Sequence, residues 1–402
     1  MDMGFHWLLT SRVLRSVGII FVTLSSSLYL SLLGLSPPTI GLIFLGITAY
    51  VAGYSFGMGL LGDRVGYRKT LIAGEFISGV GILVLGLARN IDLIVPALII
   101  SGLGGTAGGA RGAFSPGLTA LVASNWTDEK ERVRKMGLLT SASAFSGVGG
   151  SILLSIHDLL PFSPVEDYRI LYITAGALVL GSGLTLLRVR EVKRPKKRSK
   201  IMTGASFRYI SRVIVTNSIT GVGLGLAIPL LPLWYHLAYH VSSLQIGAAF
   251  TVANASTAIG SLVASRLKVN VLLAASLTRL LNGLFLVSMA FSPFFIVSAS
   301  LYAVRGFNAG IGMPNRTAVN VRGVSSEDFG AASSLQGVAT RLSQMSSGLG
   351  GYLLEDSIGL PLLLGGALQV LGGVLYYTML KGRDSKIRGS GTTHHEEALS
   401  SP

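Results

Sequence analysis

The stretch Gly59-Leu60-Leu61-Gly62-Asp63-Arg64-Val65-Gly66-Tyr67-Arg68-Lys69 lies between two apolar runs, residues 39–60 and 70–88. A helix needs about 20 apolar residues to cross a bilayer, and each run suffices. The stretch therefore reads as a tight connection between two membrane helices. Gly59 has no side chain, so its helix can pack closely on a neighbour there. Asp63 falls near the C-terminal end of that helix, where the dipole disfavours an anion. It calls for a cation or for the N-terminus of another helix. Gly66 suits a reversal through positive φ. Arg64, Arg68 and Lys69 gather positive charge on one side of the membrane, the side that Lys and Arg mark as cytoplasmic.

Working outward, twelve apolar runs follow one another, at about residues 12–34, 39–60, 70–88, 93–115, 136–156, 168–187, 212–234, 244–264, 271–291, 294–314, 333–354 and 359–380. Composition agrees. Only 13% of the 402 residues are charged, against about 25% in a soluble protein. The 52 glycines suit close helix–helix approach in lipid. The first run has no cleavage site of the small-residue type, so it reads as a span and not a signal peptide. The net charge of +15 raises a nucleic-acid reading, but the cations sit in short clusters between long apolar runs. With the N-terminus inside, those clusters fall on one side: Arg12 and Arg15, the Arg64–Lys69 group, Lys130 to Lys135, Arg266 and Lys268, Arg316 and Arg322, and Lys381 to Arg388. The other side holds only Arg89 and Arg169 among the cations. An even span count with both termini cytoplasmic is expected.

The longest connection, residues 188–211, carries Lys193-Arg194-Pro195-Lys196-Lys197-Arg198 and divides the chain into six spans and six. The expected organisation is a first six-helix bundle at 1–187, a basic linker at 188–211, a second bundle at 212–380 and a disordered tail at 381–402. The halves echo each other. Ser11-Arg12-Val13 matches Ser211-Arg212-Val213, Gly108-Gly109-Ala110-Arg111 aligns with Met313-Pro314-Asn315-Arg316, and Gly147-Val148-Gly149-Gly150 matches Gly348-Leu349-Gly350-Gly351. Duplicated halves are a signature of carriers whose solute site lies between them near the midplane.

The Gly59–Lys69 stretch resembles the signature G-x-x-x-D-R-x-G-x-R-K of the major facilitator superfamily, with every defining position present. The second-half echo, Gly260-Ser261-Leu262-Val263-Ala264-Ser265-Arg266-Leu267-Lys268, lacks the acid. The resemblance implies an all-α membrane fold of twelve helices in two pseudo-symmetric six-helix bundles. It also implies that Asp63 and its cations latch the inner side against the start of helix eleven, near Ala331-Ala332-Ser333. Ser143 to Gly150 is similar to the glycine-rich helix-five motif of the drug:proton antiporter branch, with Gly147-Val148 in place of its Gly-Pro. Leu98 stands where that branch has an arginine ahead of a glycine run.

Ionisable groups at membrane depth are functional candidates. Arg305 lies about 16 Å into its span by helical rise, with Asn308 one turn on. The resemblance makes helices one, four, seven and ten the cavity walls. The candidate solute contacts are therefore Arg305, Asn308, Asn217, Thr220, Ser26 and Tyr29. Arg111 and Arg316, nearer the inner ends, are candidates for the inner gate. Arg279 is expected to snorkel, because helix nine is peripheral in the family. Arg341 also lies deep. Glu75 is the acid clearly inside a span and a possible proton site, with a structural ion pair as the alternative. Trp234 and Tyr235 are expected to anchor at the outer interface.

No nucleotide loop, metal cluster or Ser/His/Asp arrangement is legible, so an enzyme and an ATP-driven pump are not expected. Cysteine is absent. The reading is a secondary transporter of a small organic solute, proton-coupled and efflux-like, in the plasma membrane. An organic-anion symporter or exchanger that uses the deep arginines is the alternative, and a non-transporting receptor a further one. The expected partners are the solute, protons and the lipid bilayer. No cofactor and no nucleic acid is expected, and the chain is expected to act as a monomer.

Overall fold

The computed structural model describes residues 4–102, 114–126, 128–192, 203–264, 266, 269–324 and 329–381. Among the described residues every regular element is helical. The first half holds α1 (Phe5–Leu32), α2 (Pro37–Val65), α3 (Tyr67–Leu87), α4 (Ile91–Ile100), α5 (Phe114–Asn125), α6 (Glu129–Ile156) and α7 (Pro164–Leu186), with a 3₁₀ turn at His157–Leu159. The second holds α8 (Gly204–Ala227), α9 (Leu231–Tyr239), α10 (Ser243–Ala264), α11 (Val271–Ala290), α12 (Phe295–Arg322), α13 (Phe329–Gln344), α14 (Ser347–Asp356) and α15 (Leu360–Lys381).

Nine of the described helices are long and apolar enough to cross a membrane. The other three of the twelve expected positions fall on α4 with α5, on α12, and on α13 with α14. α12 is 28 residues long and carries three arginines, which lower its hydropathy. The fourth run, read as continuous, is interrupted: α4 ends ahead of Gly102, which has φ +67°. The seventh run breaks between α8 and α9, where Pro229 and Pro232 lack the amide hydrogens a helix needs. Several helices also begin earlier than the apolar runs. α1 starts at Phe5, α6 at Glu129 and α8 at Gly204, because polar and basic turns continue a helix beyond the hydrocarbon without cost to its hydrogen bonding.

The helices bury their polar side and expose their apolar side, the reverse of a soluble helix. On α3, Glu75 is 0% exposed while Val80 is 50% and Leu87 68% exposed. On α11, Ser276, Arg279 and Asn282 are buried while Leu273, Leu277 and Leu284 are exposed. Such a surface suits lipid, where polar groups must be satisfied inside the protein.

Within the first half α1 packs on α6 and α7, and α3 packs on α7. Within the second, α8 packs on α13 and α15, while α11 packs on α12 and α15. Between halves, α2 meets α13 and α14, and α6 meets α10. The second helix of each half thus meets the fifth of the other, as a pseudo-two-fold relation requires. Trp234 and Tyr235 correct the interfacial expectation. They are 2% and 0% exposed, and the Trp234 indole donates to the Ile358 carbonyl at 2.7 Å. Their rings fill an aromatic cluster with Tyr239, Phe250, Phe295 and Tyr302. The polar ends find partners within the chain, so the headgroup layer is not needed to hold them.

Candidate functional site: the seams and the gap between the halves

The end of the molecule carrying Arg64 and Arg68 is the basic face, and the opposite end is the far face. At the far face the α2–α14 seam is closed by backbone. A Cβ on Gly41 would meet the Gly351 nitrogen and the Ser347 oxygen, both at 2.9 Å. Gly351 itself lies against the Pro37 carbonyl, and Gly348 against Leu45. The α6–α10 seam is bonded: the Asn254 amide donates to Ser151 Oγ at 2.8 Å and to the Gly147 carbonyl at 3.3 Å. Tyr168 and Ser243 pair at 2.8 Å, and the Leu244 amide donates to Asp158 at 2.6 Å.

Toward the basic face both seams part. Gly137 precedes Ser151 by four helical turns, so it shares that face of α6. Gly337 precedes Gly348 by three turns. A Cβ at either Gly137 or Gly337 would meet nothing within 4 Å. Arg341 and Gln344 share the Gly337 face by i, i+4 and i+7 spacing. Arg341 is partly buried, and it makes no hydrogen bond or ion pair among the described residues.

The connection Gly59–Lys69 has the predicted reversal: Gly66 has φ +110°. The carboxylate of Glu191, just beyond α7, accepts the amides of Tyr67 at 2.7 Å and Arg68 at 2.9 Å. It caps the first turn of α3, where an anion is favoured. A Cβ on Gly66 would meet Glu191 Oε2 at 2.9 Å, so this glycine also gives the carboxylate room. Arg68 donates to the Leu187 carbonyl at 2.9 Å. Arg64 and Lys69 are exposed. Asn125 clasps the same segment, donating to Arg190 O at 2.6 Å and accepting from the Val192 amide at 3.0 Å. Glu191 escaped the sequence reading, which treated its surroundings as a basic linker; a lone acid between Arg190 and the lysine run was the available signal. Arg111 lies outside the described residues, and so does the side-chain placement at Gly59, Asp63, and Ala331 and Ser333 of the expected latch.

The candidate solute contacts are not gathered in the gap. Asn217 accepts from Arg279 at 2.5 Å. Asn308 donates to the Thr278 carbonyl at 2.7 Å and to Asn282 at 2.9 Å. Thr220 donates to Thr216 O at 3.1 Å, and Ser26 donates to Val22 O. Tyr29 packs on Tyr168 and Tyr172, with ring centroids 5.6 and 5.2 Å away. All five face into their own half. Arg305 is 7% exposed and reaches Gln369 on α15 at 3.5 Å, with the Tyr302 ring 5.7 Å away. Its Nε has no partner. Arg316 donates to the Gly312 and Ala309 carbonyls of its own helix at 3.2 and 3.4 Å.

Arg279, expected to snorkel, and Arg12 and Arg15, read as charges on the cytoplasmic side, prove to be buried. Arg279 does not snorkel: it is 5% exposed, bonded to Asn217 and stacked 4.0 Å over the Tyr376 ring. Arg12 and Arg15 are 4% and 5% exposed. Arg15 pairs with Glu75 at 2.5 Å, beside a Ser11–Ser182 bond of 2.9 Å. A recess with room for about one water reaches this pair past Tyr54, Met58 and Ser78. In lipid an interior partner satisfies a charge better than a long reach to the interface.

The sequence profile of the Major Facilitator Superfamily matches residues 13–218. The synaptic vesicular amine transporter of Homo sapiens is 27% identical over 268 residues, which is 63% of this chain and 48% of that protein. The multidrug resistance protein MdtH of Enterobacter sp. (strain 638) is 26% identical over 221 residues, 53% of this chain and 52% of that one. This chain thus spans about half the length of the curated relatives it matches. The crystal structure of the POT family transporter PepTSo superposes with a TM-score of 0.76, covering 96% of this chain and 99% of that one at 11% identity. At that identity the likeness shows the fold.

Proposed function

The chain belongs to the major facilitator superfamily, and from that premise we propose that it is a secondary transporter carrying a small organic solute by alternating access. The observation that supports this most is the state of the two seams. Both pair the second helix of one half with the fifth of the other. Both are tight at the far face and open beyond Gly137 and Gly337. Rocking the halves about these seams would close the basic face and open the far one. On this reading the basic face is cytoplasmic, both termini lie there, the membrane is the plasma membrane and the chain acts as a monomer. Asp63 at the end of α2, with Arg64, Arg68 and Lys69, forms the latch of the inner side, and Arg111 and Arg316 form the inner gate.

The amine-transporting and multidrug relatives support proton-coupled export. A second reading, an organic-anion carrier, is favoured by the charges at depth. Glu75 is committed to Arg15, whereas Arg305 and Arg341 have no acidic partner among the described residues. A cavity of one sign attracts solutes of the other. Uptake by purified protein in liposomes with an imposed pH gradient tests both readings, using cationic dyes and small organic carboxylates. Gradient-driven dye movement supports export, and carboxylate flux that depends on Arg341 supports the anion carrier. Absence of any flux defeats the transport reading.

A further inference from the structure

The carboxylate of Glu75 is only half used. Its Oε1 takes Arg15 at 2.5 Å, but its Oε2 is buried and has no hydrogen-bond partner. Ser182, which approaches from α7, is bonded to Ser11 at 2.9 Å. On α2 the hydroxyl of Tyr54 is buried without a partner as well. That hydroxyl lies against Gly74, the residue before Glu75, where a Cβ would leave it no room. Tyr50 stacks on the Tyr54 ring with centroids 5.6 Å apart and fixes its direction. Tyr54, Glu75 and Ser78 line one recess together with Arg15, Met58, Leu71 and Gly74.

The chemistry of these groups selects the occupant. An ionised carboxylate oxygen only accepts, whereas a phenol or a serine hydroxyl can donate and accept. A buried acceptor left without a donor is costly, so the occupant must donate to Oε2. A metal ion is opposed by Arg12 and Arg15, which both act on this carboxylate, and a free anion is opposed by Glu75 itself. The room is that of about one water. A small neutral molecule that donates twice and accepts meets every condition.

We propose that the recess is a water-binding site: one water donates to Glu75 Oε2 and to Ser78 Oγ, accepts the Tyr54 hydroxyl, and so ties α2 to the ion pair between α1 and α3. A buried water typically makes about three such bonds, and bridged bonds are nearly as favourable as direct ones. The tie matters because of where α2 sits. It packs more extensively on α14 of the opposite half than on α1 or α3 of its own. The water gives α2 a polar hold on the first bundle, at a helix whose other side is the seam. Neither the site nor its test depends on which solute the protein carries.

Radiolytic footprinting in lipid nanodiscs reads such a water directly. An X-ray pulse splits bound water into hydroxyl radicals, which oxidise the nearest reactive side chain, and Met58 lines the recess. Met289, 0% exposed on α11, is the reference. Met58 is itself 6% exposed, so glutathione, too large for the recess, is added to remove radicals from the medium. Met58 should form sulfoxide at least about tenfold faster than Met289. Tyr54→Phe combined with Ser78→Val removes two of the three partners and leaves Arg15 and Glu75 in place. In that variant the Met58 rate should fall to that of Met289. Equal rates for Met58 and Met289 in the parent overturn the site. A fast Met58 rate that survives in the double variant also overturns it, because the oxidising water is then not held by these groups.

Discussion

Glu75 and Arg279 occupy the same place in the two halves with opposite charge. Each lies eight residues past the first residue of its helix, Tyr67 of α3 and Val271 of α11. Each reaches the first helix of its own half, Glu75 to Arg15 on α1 and Arg279 to Asn217 on α8. Each also sits beside the sixth helix: Gly183 of α7 lies against Glu75, and Tyr376 of α15 lies against Arg279. The duplication thus kept a polar tie between helices one and three while its chemistry diverged.

That tie predicts a stability phenotype. Removing one partner of a buried ion pair costs about 3–5 kcal/mol, because the other charge stays buried. Glu75→Gln should therefore lower the melting temperature in detergent sharply. Adding Arg15→Gln should recover part of the loss, so that the double variant is more stable than the sum of the single effects. Purely additive losses would show that the two side chains do not depend on each other.

Gly351 predicts a shift of state without loss of fold. Its Cα faces the Pro37 carbonyl at the closed far-face seam, and a valine cannot fit between the two backbones. Gly351→Val should deplete the far-face-closed population at least tenfold. The readout is the distance between spin labels at Leu159 and Gln245, which should lengthen. An unchanged distance would mean that the seam does not control access.

Arg341 predicts a selective loss. It makes no bond among the described residues, so Arg341→Gln should leave the stability within about 0.5 kcal/mol of the parent, as for substitutions that break no contact. Carboxylate flux in liposomes should fall at least tenfold. Equal flux of carboxylates in parent and variant would sink the anion reading at this residue.

The Gly66 turn predicts a mixed effect. A side chain at φ +110° is strained by about 1–3 kcal/mol, and here it also displaces Glu191. Gly66→Ala should lower the melting temperature, whereas Asp63→Asn should insert normally and cut transport by loosening the inner gate. Wild-type flux in Asp63→Asn would remove the latch from the account.

Much of the fold was legible because lipid imposes a simple rule. Long apolar runs span, and glycines mark close approaches. Gly66 could be read as a positive-φ turn because a reversal that tight suits few other residues. The candidate site was less legible. Depth along a helix can be counted from sequence, but the facing of a side chain depends on neighbours. Asn308, Asn217 and Thr220 look like cavity groups by position, yet they serve their own bundle, because any polar group in a membrane helix seeks an interior partner. Arg12 and Arg15 read as orientation charges for the same reason in reverse: their acid lies on another helix, sixty residues away.

The most direct test of alternating access compares the two ends of one helix pair. Labels at Leu159 and Gln245 report the far-face end of α6 and α10, and labels at Arg134 and Arg266 report the basic-face end. Both distances should be measured by electron spin resonance in lipid nanodiscs, for the parent and for Asp158→Asn. Reciprocal change is predicted: as the far-face distance lengthens in the variant, the basic-face distance shortens. Two distances that lengthen together, or a basic-face distance that stays fixed while the far face opens, would contradict the rocking of two halves.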